Sequence, residues 1–560
     1  MRESISFALA GSGGAGVMTA GNMLLEAAAA AGYYGLMTRT SGPQIRGGEA
    51  AAMLRVTTFP TDAQEDRFDV LAAIDWQNVG RFAAELPLAP QSLLLGDPAQ
   101  GEPPEVFTRS GARYLPLPLK EIAGRIPGAW PNMVALGALA ALIGLPLEAV
   151  EAAARKSMKK GLEPGLTALR EGMSRISSNE FLLEKKRNDR PRWLISGNEA
   201  AGYGALRGGV RFVAAYPITP ATELLEWLAP SLTKVGGTLV QAEDELASIN
   251  MALGASYGGV PALTATSGPG LSLMIEALGL GVAAEVPVVV VDVMRTGPST
   301  GIATKSEQAD LNLALYGLHG DAPHVVVAPN SVADCIAATQ WAVGLAESLQ
   351  LPAIVLSDQY LGQARAIVDQ PELQDVLFNR VVSEKSETPY KRYAVTASGV
   401  SPMAIPGTAG CTYTADGLEH NERGTPSSQA ADHLAQMDKR ARKLEQLDPG
   451  EGWATIEGEG DVAVVTFGSC TAPVREALSG HKNVRLVSLR LLSPAQPARL
   501  KAALEGVKRI LVVEQNHSGQ FLRYLRAEYD AIRDLPGDKV RSLRRPGPLP
   551  FRPAEILAAL

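Results

Sequence analysis

The sequence is poor in cysteine and has no long apolar run. It contains three cysteines in 560 residues, Cys335, Cys411 and Cys470, and no two of them form a CxxC pair. An iron–sulfur cluster usually needs four thiolates, so we expect no cluster and no metal site on this chain. The longest apolar stretches, near Val286 to Val291 and Val134 to Ile143, are too short or too interrupted by glycine to span a membrane.

The chain also lacks a basic excess, and we expect no secretory signal. Its net charge is −7 and 20% of its residues are charged, so we expect no nucleic-acid partner. No charged N-terminal segment followed by an apolar stretch is visible. We therefore expect a cytoplasmic protein that has no membrane partner. A length of 560 residues predicts three or four domains.

The most informative stretch runs from residue 213 to residue 270. An apolar strand ends in the turn Tyr216–Pro220, a strand at Thr238–Gln241 leads into a helix at Leu246–Tyr257, and a third strand spans Ala262–Thr266. Every strand end carries polar or glycine residues. Because ligands bind outside the carboxyl ends of strands in an open parallel sheet, this pattern predicts a site there.

Strands alternate with helices along most of the chain. This pattern predicts an α/β fold with several three-layer domains and mainly parallel sheets. The further predicted strands are Ile5–Ala10, Ala50–Val56, Asp69–Ile74, Val286–Val291, Val325–Ala328, Ala353–Leu356, Val462–Phe467, Val484–Leu489 and Ile510–Val513.

A glycine-rich turn, residues 11–16, connects the first strand to the first helix. Such a turn can hold a phosphate on its backbone N–H groups. The glycines can equally serve to pack the helix closely against the strand. No acid clearly closes a strand about 20 residues further on, as a dinucleotide site would need, and both interpretations stay open.

Four motifs in order carry a resemblance to a known family. They are Tyr216–Pro220, the acids Glu243 to Glu245, the TSGPG segment from Thr266 to Gly270, and residues 294–308, which contain RTGPSTG and TKSEQ. Together they resemble the pyrimidine-binding domain of thiamine diphosphate-dependent 2-oxoacid:ferredoxin oxidoreductases. The last motif is similar to the branch that acts on 2-oxoglutarate.

Other segments extend the resemblance over nearly the whole chain. Residues 39–49 resemble the gamma domain, which lies over the active site in this family, and residues 513–519 resemble the C-terminal domain of the alpha part. The segment 417–424, with His420, is also similar, and we interpret that histidine as part of a surface hydrogen-bond network or as catalytic. The domains implied are 1–185 (gamma type), 193–370 (thiamine diphosphate pyrimidine binding), 371–455 (irregular connection) and 456–560 (transketolase-C-like α/β).

The resemblance also implies roles for individual residues. Glu245 would hydrogen-bond ring nitrogen N1′ of the cofactor's aminopyrimidine; Glu243 is the alternative, or the acids only stabilise the helix N-terminus. Thr219 would contact the substrate, Arg295 would grip its 1-carboxylate through two N–H groups, and Arg46 is the candidate for the distal carboxylate. The residues expected to line the cofactor are Tyr216, Pro217, Ile218, Glu245, Thr266, Ser267 and Gly268.

The resemblance further implies a partner. Related enzymes hold Mg²⁺ and the diphosphate with a Gly-Asp-Gly segment, and this chain has none. A beta subunit would then carry the diphosphate, Mg²⁺ and a [4Fe-4S] cluster, in a heterotetramer built as a heterodimer of dimers. The implied reaction converts 2-oxoglutarate and coenzyme A to succinyl-CoA and CO₂ and reduces ferredoxin; its reverse fixes CO₂, as in the reductive tricarboxylic acid cycle.

Two alternatives stay open. The substrate can be another 2-oxoacid, such as indolepyruvate or a branched-chain 2-oxoacid. The chain can also be a non-catalytic nucleotide-binding or assembly subunit, in which the glycine-rich turn is the active feature.

Overall fold

A computed structural model describes residues 1–42, 48–177, 180–184, 190–372, 379–386 and 389–560. The chain forms two compact units. The first comprises Met1–Ser196, Gln363–Glu372 and Phe551–Ala558, and the second comprises Gly197–Gly362, Leu373–Pro550 and Ala559–Leu560. In the described ranges, no helix combines the length and the apolar character needed to cross a membrane.

The strands are numbered along the chain. They are β1 (Ser4–Gly11), β2 (Tyr34–Ser41), β3 (Ala50–Thr57), β4 (Val70–Ala73), β5 (Leu93–Gly96), β6 (Arg113–Pro116), β7 (Arg192–Ser196), β8 (Phe212–Ala215), β9 (Thr238–Gln241), β10 (Ala262–Thr266), β11 (Val288–Met294), β12 (Val325–Val327), β13 (Pro352–Asp358), β14 (Arg365–Asp369), β15 (Val382–Ser383), β16 (Met403–Ala404), β17 (Ala454–Glu457), β18 (Val462–Phe467), β19 (Val484–Leu489), β20 (Leu491–Ser493), β21 (Arg509–Glu514) and β22 (Val540–Arg544).

The α-helices are numbered in the same way. They are α1 (Val17–Ala30), α2 (Glu105–Thr108), α3 (Leu119–Gly124), α4 (Pro131–Ile143), α5 (Leu147–Ser157), α6 (Leu162–Ser174), α7 (Gly197–Arg207), α8 (Thr222–Lys234), α9 (Glu245–Tyr257), α10 (Gly268–Ala283), α11 (Leu311–Tyr316), α12 (Asp334–Leu349), α13 (Gln359–Gln363), α14 (Ala430–Glu445), α15 (Thr471–Leu478), α16 (Pro497–Ala503), α17 (Gln520–Glu528), α18 (Asp530–Arg533) and α19 (Pro553–Ala559).

The first unit is organised around one eight-stranded sheet in the order β6-β5-β4-β1-β3-β2-β14-β7. The strands from β6 to β1 are parallel, whereas β3, β2, β14 and β7 pair antiparallel in turn. The predicted α/β fold with mostly parallel strands is confirmed. The eight-stranded sheet itself is mixed, because half of its strands pair antiparallel. Helices α4 and α6 cross so closely that a Cβ on Gly137 would lie 2.0 Å from the Leu169 carbonyl oxygen, which is why glycine stands there.

The second unit contains a seven-stranded sheet in the order β20-β12-β13-β11-β10-β8-β9. All its pairs are parallel except β12 with β20. Every residue of the central strand β11 is buried, as expected for a parallel sheet covered on both faces. The predicted strands Thr238–Gln241 and Ala262–Thr266 are confirmed with their bounds.

The C-terminal part of this unit adds a five-stranded sheet, β17-β19-β18-β21-β22. It is joined to the seven-stranded sheet by strand β20 and by Gln308. The Gln308 amide donates to the Phe467 carbonyl oxygen at 2.9 Å, and its oxygen accepts from the Gln515 backbone N–H at 3.0 Å. Arg490 also holds Asp334 with two N–H groups at 3.0 and 2.7 Å.

Helix α14 is held to the seven-stranded sheet by a buried ionic cluster. Lys439 and Lys443, one turn apart on α14, both contact the Glu285 carboxylate, and all three side chains have 0% exposure. Arg392, also 0% exposed, donates to the Glu285 carbonyl oxygen at 2.8 Å. Three cations therefore surround one carboxylate, and its burial is tolerable only because it is paired.

Candidate active site

The predicted site residues other than Arg46 lie at one edge of the seven-stranded sheet. The turn Tyr216–Pro220 follows β8, Ser267 follows β10 and Arg295 follows β11, while Glu245 opens α9 after β9. Because these four strands are adjacent and parallel, their carboxyl ends meet at the same edge. The structure thus brings together the described residues expected to bind cofactor and substrate, in the place where such sheets bind ligands.

Glu245 is the buried acid among the three that open α9. Its exposure is 6%, whereas Glu243 is exposed. Asp244 is the helix cap, since its carboxylate accepts from the Ala247 backbone N–H at 2.7 Å. Capping therefore belongs to Asp244, and Glu245 is left to present a carboxylate within the site.

Glu245 and Thr266 meet at Gly270. A Cβ on Gly270 would lie 2.6 Å from Glu245 Oε1 and 2.1 Å from Thr266 Oγ1. Glycine is thus required there, because any side chain would displace both polar groups. The last glycine of the TSGPG segment therefore lies where the Glu245 carboxylate and the Thr266 hydroxyl converge.

The proline-bracketed turn is held from two directions. Arg295 Nη1 donates to the Thr219 carbonyl oxygen at 2.7 Å, and Asn198 Nδ2 donates to the Pro220 carbonyl oxygen at 3.0 Å. Tyr216 is exposed, and Pro217, Ile218 and Thr219 are half-buried. Asn198 is a positioning residue that the sequence does not reveal, because it lies 22 residues before its partner.

Arg295 has donor capacity left for a ligand. It is 7% exposed, and its Nε has no hydrogen-bond partner among the described residues. Burial lowers its pKa, and the negative charge of Asp310 opposes that effect. A buried guanidinium with an unused N–H is suited to a carboxylate, which supplies the missing acceptor and the missing charge.

Ser267 and Gly268 form the next part of the site. The Ser267 hydroxyl is fully buried and has no partner within the described ranges. A Cβ on Gly268 would lie 2.5 Å from both carboxylate oxygens of Asp310. The Ser267 hydroxyl is therefore one hydrogen-bonding group in the site that is available to a ligand.

Two acids, the buried Asp292 and the half-buried Asp310, were not predicted. Asp292 lies opposite Thr266 in the sheet and is 0% exposed, and Asp310 begins α11. Burial and the charge of Asp310 hold the pKa of Asp292 well above its usual range. Burial and Glu307 raise the pKa of Asp310 to about 7, against the attraction of Arg295. The available signal was an acid inside the apolar run VVVVDVM.

The glycine-rich turn near the N-terminus is occupied by the protein itself. Its Ser12 backbone N–H and hydroxyl both donate to the Asp75 carboxylate, at 3.1 and 2.7 Å. A Cβ on Gly16 would lie 2.3 Å from Asn132 Nδ2. A phosphate at Ser12 would meet the Asp75 charge, so this geometry favours the packing interpretation of the turn.

Two other candidates have different outcomes. Arg46 lies outside the described residues. His420 is 1% exposed, so it is not on the surface; it stacks on Tyr393 with ring centroids 3.7 Å apart, and each ring nitrogen lies 3.2 Å from a backbone carbonyl oxygen. Its contacts are those of a core residue.

The site suits the pyrimidine half of thiamine diphosphate. The buried Glu245 carboxylate and the Thr266 hydroxyl converge at Gly270, and the nearby Ser267 hydroxyl lacks a partner in the described part of the chain. Over the same ranges, no group of three or more His, Cys, Asp or Glu side chains is arranged to hold a metal ion. Cys335, Cys411 and Cys470 are free and buried.

Comparison with known proteins identifies two family matches. Residues 203–439 match the model described as pyruvate flavodoxin/ferredoxin oxidoreductase, thiamine diphosphate-binding. Residues 6–175 match the model described as pyruvate ferredoxin/flavodoxin oxidoreductase. The first match contains every candidate site residue described above except Asn198 and those in the N-terminal unit.

Similar proteins cover most of the chain. The chain is 31% identical to 2-oxoacid:ferredoxin oxidoreductase 2, subunit alpha, of Aeropyrum pernix, over 93% of each protein. It is 40% identical to 2-oxoglutarate synthase subunit KorA of Archaeoglobus fulgidus, over 59% of this chain and 89% of that one. A solved 2-oxoglutarate:ferredoxin oxidoreductase from Magnetococcus marinus, with 2-oxoglutarate, coenzyme A and succinyl-CoA bound, is 35% identical with a TM-score of 0.91, over 100% of this chain and 99% of that one.

Proposed function

Because this chain belongs to the family of 2-oxoacid:ferredoxin oxidoreductases, we propose that it is the fused gamma–alpha subunit of a 2-oxoglutarate:ferredoxin oxidoreductase. The reaction is the oxidative decarboxylation of 2-oxoglutarate to succinyl-CoA and CO₂, with reduction of ferredoxin. The Magnetococcus marinus structure supports the choice of substrate, because it resembles this chain over its whole length and binds 2-oxoglutarate and succinyl-CoA.

One observation carries the proposal. The buried carboxylate of Glu245 and the partly unpaired guanidinium of Arg295 lie at the same edge of the sheet, with the Thr219 turn between their strands. An acid beside a site for a flat ring, together with a cation for a carboxylate, is what a thiamine-dependent 2-oxoacid enzyme requires.

Each residue then has a role. Thiamine diphosphate, when bound, supplies the electron sink that lets the 2-oxoacid lose CO₂. Glu245 holds a proton against the N1′ position of the pyrimidine, and its burial keeps water from that contact. Arg295 orients the 1-carboxylate through parallel N–H groups, and the Thr219 hydroxyl contacts the keto oxygen or the carboxylate. Tyr216, Pro217, Ile218, Thr266, Ser267 and Gly268 enclose the ring.

The other components belong to a partner in this proposal. A beta subunit supplies the Mg²⁺ and diphosphate site and the [4Fe-4S] cluster. The reason is that this sequence contains no Gly-Asp-Gly segment, and its three cysteines are widely scattered. The assembly is a heterotetramer in the cytoplasm. The four segments proposed from the sequence, 1–185, 193–370, 371–455 and 456–560, are its gamma-type, pyrimidine-binding, connecting and C-terminal parts.

Purification with and without the partner tests the proposal. The chain alone is expected to hold no stoichiometric iron and to show no activity. Together with its beta subunit it should reduce a dye or ferredoxin in the presence of coenzyme A, with 2-oxoglutarate preferred over pyruvate, indolepyruvate and branched-chain 2-oxoacids. Cluster iron on the isolated chain, or preference for another 2-oxoacid, would contradict it.

The choice of 2-oxoglutarate requires a group for the second carboxylate, because burying that charge unpaired would be costly. Arg46 is the proposed group. Arg46→Ala should be assayed with 2-oxoglutarate and with 2-oxobutyrate, which lacks the second carboxylate. Loss of discrimination between the two supports the assignment, and an equal fall for both removes it.

A further inference from the structure

Two carboxyl groups, one in strand β11 and one interacting with Arg295, have no role in the reaction described above. Asp292 is fully buried in strand β11, and Asp310 packs its carboxylate against the backbone of Gly268. Among the described residues, neither oxygen of Asp292 has a hydrogen-bond partner, and nor does Asp310 Oδ2. Buried polar atoms in folded proteins are normally satisfied, so these oxygens need a proton or water between them.

We propose that Asp310 is a positioning residue that takes up one proton when the substrate carboxylate binds at Arg295. The proton comes from the solvent and is released when the carboxylate leaves. This inference rests on the proposed function, because it takes Arg295 as the residue that holds the substrate.

The charges around Asp310 explain why carboxylate binding at Arg295 changes its protonation. Arg295 is the cation that favours its ionised form, while Glu307 on the same loop and Asp292 on β11 are acids. Burial raises the pKa of Glu307, and the Gly547 backbone N–H and then the nearby His517 partly offset this shift. Asp310 therefore depends on Arg295 for its negative charge.

A bound substrate removes that support. Its carboxylate occupies the Arg295 guanidinium and adds a negative charge close to Asp310, so the pKa of Asp310 rises from about 7. Above neutral pH, binding then consumes a proton, and by linkage the affinity falls as pH rises, by at most about tenfold per pH unit. Below about pH 6, Asp310 is already protonated and the affinity no longer changes with pH.

Asp292 provides the matched control. It lies in the same cluster, but it is fully buried and its pKa is held well above that of an ordinary aspartate. Burial favours the neutral form of this carboxyl group, and an amide is neutral and of nearly the same size. Asp292→Asn should therefore keep the proton uptake, and Asp310→Asn should lose it.

The experiment uses the complex with its partner subunit and titrates it with glutarate, which keeps both carboxylates and lacks the reacting keto group. Calorimetry in two buffers of different ionisation enthalpy gives the protons taken up per glutarate. We expect close to one at about pH 8 and none at about pH 6. The KM for 2-oxoglutarate should rise over the same interval in the unaltered complex and stay flat in Asp310→Asn.

Several outcomes would overturn the inference. They are uptake that survives Asp310→Asn, uptake that Asp292→Asn abolishes, or uptake that Glu307→Gln removes while Asp310→Asn does not. If Asp310→Asn does not fold, infrared spectroscopy of the unaltered complex tests the inference instead. The absorption of protonated carboxyl groups must increase when glutarate binds at about pH 8. Glutarate binding and 2-oxoglutarate turnover without proton uptake contradict this inference alone, whereas absence of both contradicts the proposed function.

Discussion

Arg295 donates a 2.7 Å hydrogen bond to the carbonyl oxygen of Thr219, 76 residues earlier in the chain. The bond ties the end of strand β11 to the turn that follows β8, two strands away in the sheet. It fixes one nitrogen of the guanidinium and so directs the others. A residue that binds both the protein turn and the substrate sets the distance between them.

Arg295→Lys should therefore impair substrate handling more than folding. Lysine keeps the charge, but it cannot hold the Thr219 carbonyl oxygen and a carboxylate in one planar fork. We expect kcat/KM for the 2-oxoacid to fall roughly ten- to hundredfold, on the scale of one charged hydrogen bond. Arg211→Lys is the control, because Arg211 also binds backbone carbonyl oxygens but precedes β8 at the opposite edge of the sheet. Equal kinetics for the two variants would remove Arg295 from the site.

Glu245→Gln should lower turnover by roughly 10²–10⁴-fold, the scale of a positioned acid–base group. The amide keeps the shape of the side chain, so the melting temperature should change little. The control is Glu243→Gln, since Glu243 is exposed at the same helix start. A dead Glu243 variant beside a nearly normal Glu245 variant would transfer the role to Glu243.

Two glycine-to-alanine substitutions should have different effects, one lowering turnover and the other raising stability. Gly270→Ala places a methyl group 2.6 Å from Glu245 Oε1 and 2.1 Å from Thr266 Oγ1, so turnover should fall strongly. Gly254→Ala, within α9, meets nothing within 4 Å and should raise the free energy of unfolding by about 0.5–1 kcal/mol. Denaturant unfolding and steady-state kinetics of both variants measure this contrast. A stable and fully active Gly270→Ala enzyme would show that Glu245 and Thr266 do not act together there.

Glu285→Gln should destabilise the second unit severely. It leaves Lys439 and Lys443 without the carboxylate that they share, and a broken buried ion pair costs about 3–5 kcal/mol. Glu457→Gln is the control, because the Glu457–Arg475 pair is about 40% exposed and should contribute below about 1 kcal/mol. Urea unfolding measures the free energy of unfolding of both variants. A loss of stability no larger for Glu285→Gln than for Glu457→Gln would contradict a stabilising role of the buried ionic cluster.

The lowered pKa of Lys443 should make the stability of the protein depend on pH. Burial lowers its pKa to about 7 in the folded chain, against 10.5 for an ordinary lysine, although Glu285 opposes this shift. Between these values the unfolded chain binds the proton more tightly, so the free energy of unfolding should rise with pH from about 7 to about 10. Lys443→Met should remove that rise. Unfolding curves at several pH values compare the two proteins, and an unchanged slope would contradict the assignment.

Strands with clear boundaries could be predicted from the sequence. Strands Thr238–Gln241 and Ala262–Thr266 begin after a glycine or a proline and end at polar residues, so their apolar runs coincide with their backbone pairing. The run from Val286 was predicted less well. The strand begins at Val288, because Pro287 has no N–H to donate, and it continues through Asp292, whose charge suggested an end.

Long-range partners explain what was missed. Helix α14 carries Lys439 and Lys443 on one face, and such a charge pattern normally indicates a solvated surface. Their burial depends on Glu285, which lies 154 residues from Lys439. Asn198 and Asp310 were missed for the same reason, since each becomes part of the site through a neighbour that only folding brings close.

Strands β14 and β7 form one end of the eight-stranded sheet, although both follow the first 185 residues in the chain. If evolution divided this gene between α6 and β7, the first product would keep six of the eight strands and expose the backbone of β2. An open strand edge invites aggregation or capture by another strand. The two products would then recognise each other by strand addition, so separate genes would still need to be expressed together and in equal amounts.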